Sequence, residues 1–184
     1  MKYIRKIFFQ FWFRLFGWKI EGNKPDLDKY VIVVAPHTSN YDFFVGLAAR
    51  HIVGLNSHFL AKKSLFDAPV FGWFMRAIGG HPVDRSRKLN MVDQVVELFD
   101  KHKKFVMTVT PEGTRSYSPD WKTGFYHIAD KAEVPIVLVG FDYRRKVVSF
   151  KEPFYVTGNK EKDIEMMKDY YRKIPGKYPE KGII

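Results

Sequence analysis

A chain of 184 residues has the length of one domain, and its 46% hydrophobic and 28% charged residues exclude intrinsic disorder and coiled coil as readings of the whole. Lys and Arg number 31 against 20 Asp and Glu, a formal charge of +11, and aromatic residues reach 17%; this calls for a polyanionic partner (nucleic acid, anionic membrane or phosphorylated substrate) and for apolar contact beside it. The absence of Cys excludes a disulfide framework, thiolate metal ligands and a Cys nucleophile.

Residues 1–19 carry Lys2, Arg5 and Lys6 ahead of an apolar run, as a signal peptide does, but no small-residue cleavage site follows. Gln10 and Arg14 interrupt the run and Gly17 ends it, so it is too short and too polar to span a bilayer. Ile4, Ile7, Phe8, Phe11, Leu15 and Trp18 repeat at helical spacing on one stripe, enough to dock the helix on its own domain. The other side mixes Arg5 and Lys6 with Phe9, Trp12, Phe13 and Phe16, a composition suited to the headgroup layer of an anionic bilayer. Residues 1–24 are thus expected to be an interfacial helix and linker, and 25–184 a single α/β domain. The protein is placed peripherally on the cytoplasmic face of the cell membrane.

The β-branched run at 30–35 predicts a strand buried on both faces, and Pro36 to Asn40 a turn in which Ser39 or Asn40 caps a helix from Tyr41. Strands are expected at 58–61, 105–109 and 136–141, a short extended piece at 81–83, and a hairpin through Arg144, Arg145 and Lys146 into 147–150. Helices are expected between Leu65 and Ala77, from Ser86 to Lys101, from Gly124 to Ala132 and over 160–173. This alternation predicts an α/β fold, a largely parallel, mixed sheet flanked by helices, with the ligand crevice beyond the carboxyl ends of the strands. His37, Arg85 and Glu112 to Arg115 each follow a strand and should open onto that edge.

His37 and Asp42 have the spacing His-x-x-x-x-Asp, in which a turn can bring the carboxylate to the imidazole, fix its tautomer and support it as a general base. About 0.4 such spacings are expected by chance in this composition, so alone the pair is as well read as a satisfied histidine beside a capping acid. Pro111-Glu112-Gly113-Thr114-Arg115-Ser116 places a tight glycine, two hydroxyls and a guanidinium fork after a buried strand, groups that suit phosphate. A prespecified five-residue word of this kind occurs by chance in roughly one chain in ten thousand.

Together, His37-Thr38-Ser39-Asn40-Tyr41-Asp42 and Glu112-Gly113-Thr114-Arg115-Ser116 resemble the glycerolipid acyltransferase family, which includes the lysophosphatidate acyltransferases. Gly79-Gly80-His81-Pro82-Val83-Asp84-Arg85 is similar to its second motif, with Pro82 in place of Phe and Val83 in place of Ile; Val134-Pro135 is similar to its fourth. The resemblance implies transfer of a fatty acyl group from a thioester, acyl-CoA or acyl carrier protein, to a lysophosphatidate hydroxyl, giving phosphatidate. It implies His37 as base with Asp42 supporting it, and no covalent enzyme intermediate. Arg85, Glu112, Gly113, Thr114 and Arg115 would bind the acceptor phosphate, with a backbone N–H near Gly113 on the oxyanion. Lys62 resembles a family lysine on the same rim, and reads equally as a solvated surface lysine. No metal or cofactor is implied, and His51, His58, His102 and His127 read as surface or packing residues.

The same reaction on another lysophospholipid, or on an amino-acid-containing lyso-lipid, is the alternative that Pro82 leaves open. A non-catalytic basic module binding membrane or nucleic acid is the remote one, since the basic residues are dispersed and no DNA- or RNA-binding motif is present.

Overall fold

The computed structural model describes residues 2–83 and 91–183. Strands β1 (Lys19–Glu21), β2 (Lys29–Ala35), β3 (Ser57–Lys62), β4 (Gly80–Val83), β5 (Phe105–Val109), β6 (Ile136–Asp142) and β7 (Val147–Phe150) form one sheet in the order β1-β7-β6-β2-β5-β3-β4. β2 lies between β5 and β6, and β3 between β4 and β5, all in parallel; β1 runs parallel to β7. Among the described residues the antiparallel pairing within the sheet is the β6–β7 hairpin. The sheet is therefore mixed and largely parallel, as the alternation of elements predicts.

Side chains alternate across the central strands, and both faces are covered. Val31 and Val33 of β2 with Ile136 and Leu138 of β6 pack on one side under α5 (Met91–Lys101), α6 (Gly124–Lys131) and α7 (Lys160–Tyr171). Ile32, Val34, Val137 and Val139 pack on the other under α1 (Lys2–Leu15) and α2 (Tyr41–Ile52). The segment predicted helical between Leu65 and Ala77 divides into α3 (Ser64–Asp67) and α4 (Pro69–Ala77). Ala68, at ψ 120°, adopts the extended backbone that a following proline imposes. Of the helix expected from Ser86, the part at 86–90 lies outside the described residues.

The N-terminal helix docks on the side opposite to the one its pattern suggests. Phe13 is buried and Phe9 and Trp12 are half-buried, whereas Ile4, Ile7, Phe8, Phe11 and Leu15 stand in solvent. Gly17 explains the reversal. At φ 73° it ends α1 in a left-handed turn, with its N–H donating to Arg14 O and the Trp18 N–H to Phe13 O, the paired bonds of a Schellman stop. Trp18 leaves the helical stripe, packs on Phe13 with ring centroids 6.0 Å apart, and leads straight into β1. That strand is too short and too charged to show a period.

Candidate active site

The parallel strands β2 and β5 end side by side, which brings His37 and the 111–116 loop together. Pro36 follows β2 through a cis peptide bond, and His37 follows it with its side chain partly exposed. Asp42, in the first turn of α2, is buried and accepts three hydrogen bonds: from the imidazole Nδ1 of His37 at 3.0 Å, from the Ser39 N–H at 3.0 Å and from the Tyr143 hydroxyl at 2.6 Å. With Nδ1–H committed to the carboxylate, the Nε2 lone pair of His37 remains for a substrate proton. The turn predicted from Pro36 to Asn40 forms, and Ser39 Oγ accepts the Tyr41 N–H at 3.1 Å. Asn40 is the residue preceding the helix, but its side chain makes no capping bond.

Glu112 takes a different place from the rest of its loop. It is 4% exposed, and its Oε1 accepts the His37 N–H at 3.0 Å, tying the two loops together. Its other oxygen is buried with no partner among the described residues, and burial pushes the carboxyl above its ordinary range. Gly113, at φ 63°, turns the loop outward, and its N–H donates to Thr110 O at 3.2 Å. Thr114 and Arg115 are exposed.

A cavity of about 840 Å³ lies between the sheet and the α2 side of the fold. Its wall is mainly apolar, built from Val34 and Val139 on the sheet and Leu47 on α2. His37 and Asp42 line it, as do Gly113 and Arg115; Glu112 and Thr114 do not. Lys62 is the last residue of β3, on the edge where β2 and β5 also end. Arg85 lies outside the described residues.

Three functional candidates were not visible as motifs. Tyr143 reaches Asp42 from 101 positions away and packs edge-on against Trp18, ring centroids 5.0 Å apart. Burial, and then the bond to Asp42, raise its phenol well above the ordinary range. Lys122 lines the cavity with its stem against Gly113, where a Cβ would come within 2.9 Å of it. Arg50 lines the cavity from α2, and its guanidinium donates to Ile78 O. Only the hydroxyl type of Tyr143 and the cationic type of the other two were readable, and nothing in the sequence says where they meet. His58 and His102 stack on Phe105, and among the described residues no three His, Asp or Glu side chains are gathered to hold a metal ion.

A buried carboxylate thus orients a histidine on the wall of an apolar cavity that Arg50, Arg115 and Lys122 also line. The family model described as Acyltransferase matches residues 18–142, about two thirds of the chain. The chain belongs to the acyltransferase family. The match contains His37, Asp42 and the 112–115 loop, and stops one residue short of Tyr143.

Among relatives of this acyltransferase-family chain, the 1-acyl-sn-glycerol-3-phosphate acyltransferase of Saccharomyces cerevisiae is 33% identical over 72% of this chain and 45% of its own. The protein of that name from Escherichia coli K12 is 35% identical over 68% of this chain and 53% of its own. The chain spans about half the length of these relatives. In fold it is similar to the crystal structure of the 1-acyl-sn-glycerophosphate (LPA) acyltransferase PlsC from Thermotoga maritima, with a TM-score of 0.68 and 19% identity over 92% of this chain and 76% of that one.

Proposed function

We propose that the protein transfers a fatty acyl group from an acyl thioester to the free hydroxyl of lysophosphatidate, giving phosphatidate. The observation that carries the reading is His37, held by Asp42 at 3.0 Å, on the wall of an apolar cavity whose rim bears Arg115 and Lys122. The names of the yeast and E. coli relatives point to the same acceptor. In this reading Nε2 of His37 takes the acceptor's hydroxyl proton as the oxygen attacks the thioester carbonyl. The imidazolium formed is stabilised by Asp42 and returns the proton to the leaving thiolate. No enzyme nucleophile is required.

Arg115 offers a planar fork to the acceptor phosphate, and Lys122 a point charge beside it. Glu112 acts through His37's backbone, bracing the loop from beneath instead of touching substrate. Lys62, at the end of β3, and Arg85 remain proposed contacts of the acceptor. Acyl-CoA and acyl carrier protein both suit the basic surface as donors, and no cofactor enters the reaction. No helix among the described residues is long and apolar enough to cross a membrane. The exposed Ile7, Phe8 and Phe11 of α1, beside Arg5 and Lys6, support peripheral, in-plane binding to the cytoplasmic face of the cell membrane.

Purified protein given labelled acyl thioester and a panel of lyso-lipids should acylate lysophosphatidate in preference to lysophospholipids with blocked phosphates or amino-acid head groups. Equal use of acceptors without a phosphate monoester would overturn the assignment. Arg115→Ala should raise the KM for lysophosphatidate about tenfold or more, as loss of a charge-assisted pair does, with the donor KM unchanged.

A further inference from the structure

The α3–α4 segment carries an apolar surface that the fold leaves uncovered. Gly72 and Met75 of α4 are buried, and Gly72 lets the helix sit against Phe66, whose carbonyl oxygen would lie 2.3 Å from an added Cβ. The rest of α4 faces outward: Val70 is 82% exposed and Trp73 69%, with Phe71 and Phe74 exposed beside them. Exposing four large apolar residues on nine positions has no use in water. Exposed Lys63 and Arg76 flank them, against the single acid Asp67.

This surface belongs to the same side of the sheet as α1. The crossovers β2–α2–β3 and β3–α3–α4–β4 step in one direction across the sheet, so right-handed connections put all three helices on one face. The Arg50 bond from α2 to Ile78 O, just past α4, joins them there. On that face α1 has four basic residues and no acid. The cavity is lined from α2 and from the α3–α4 segment, through Leu47, Leu65 and Met75, and its rim is amphiphilic. Phe43, Leu65 and Met91 line it and are exposed, and so are Gly113, Arg115 and Lys122.

We infer that the outer face of α4, through Val70, Phe71, Trp73 and Phe74, inserts into the acyl region of an anionic bilayer leaflet, as a contact separate from α1. The inference rests on the lipid-acylating reading, because it gives the mouth its orientation. With α1 and α4 both seated in the leaflet, Phe43 and Leu65 meet the bilayer, so an acceptor's chain enters sideways while its phosphate stays at the level of Arg115 and Lys122. An anionic leaflet is the occupant because apolar side chains interleaved with Lys and Arg match acyl chains beneath acidic head groups, and the proposed acceptor resides there.

The chain has no Cys, so single labels are clean. Trp73→Cys carrying an environment-sensitive fluorophore is mixed with vesicles containing about one third phosphatidylglycerol, alongside Phe8→Cys on α1 and Glu161→Cys on α7. The label at position 73 should shift to the blue and be quenched by nitroxides on the lipid chains, while the label at 161 stays wet. Separately, Phe71→Ser/Trp73→Ser should bind these vesicles about tenfold less tightly or worse, with unchanged circular dichroism. A wet label at position 73 on vesicles that immerse the label at position 8 would overturn the α4 contact. Acyl transfer measured on the unlabelled protein is the independent readout of the underlying reading: activity with a wet α4 rejects only this inference, and inactivity on every lyso-lipid rejects the reading itself.

Discussion

At the scale of residues, the pair His37 and Asp42 is held by a third group. The Tyr143 hydroxyl occupies the carboxylate oxygen that His37 leaves free, and the Tyr143 N–H donates to Pro175 O at 3.1 Å, so the residue is held through both its hydroxyl and its backbone. Tyr143→Phe removes one of three donors to a buried carboxylate. It should lower stability by about 1–2 kcal/mol in chemical denaturation. It also leaves one oxygen of the carboxylate that holds the imidazole without its donor, so kcat for acyl transfer should fall about tenfold with the acceptor KM unchanged. An unchanged kcat with the same loss of stability would leave Tyr143 a purely structural residue. His37, Asp42 and the 112–115 loop were legible in the sequence because each sits in a contiguous word whose chemistry survives without coordinates. Tyr143 and Lys122 were not, because their roles come from the folding of β6–β7 and of the 117–123 loop back over the strand ends.

At the scale of elements, strand and helix positions were legible wherever burial is two-sided or the apolar period is long. β2 and β6 are continuous apolar runs that only a sheet covered on both faces can bury, and they lie within one residue of the predicted limits. The docking face of α1 differs from the expected one because helical periodicity counts apolar positions without saying which stripe meets the core, and both of its stripes are apolar. The C-terminal stop decides it, by turning Trp18 inward onto Phe13. Gly17→Ala puts a Cβ on a φ of 73° and should cost about 1 kcal/mol in thermal unfolding. The added methyl meets only the Lys146 side chain, at 3.5 Å, so the loss is one of backbone conformation. A neutral or stabilising effect would mean that the left-handed turn does not form.

At the scale of the whole molecule, two features follow from how the parts are assembled. The first is acid sensitivity at the β3–β4 edge. His58 stacks on Phe105 and bonds His81 at 3.0 Å, and burial, with His81 and Arg50 nearby, pulls its pKa from 6.5 down to about 4. The unfolded chain takes up the proton first, so the stability this site contributes is present above pH 6.5 and is lost as pH falls toward 4. Solvent screening limits the loss to on the order of 1–2 kcal/mol. His58→Gln should flatten the fall in denaturation midpoint between pH 7 and pH 4.5, and an unchanged slope would assign it to other groups. The second is the convergence of strand ends, apolar cavity and basic rim on one edge; under the proposed function Arg115 and Lys122 there meet the lipid phosphate and the apolar wall takes the acyl chain. The central claim is that His37 is the base at that edge. Single-turnover acyl transfer from labelled thioester to lysophosphatidate by His37→Ala tests it most directly. The account predicts a rate at least about a thousandfold below the parent chain with unfolding temperature unchanged, and transfer within about tenfold of the parent would contradict it.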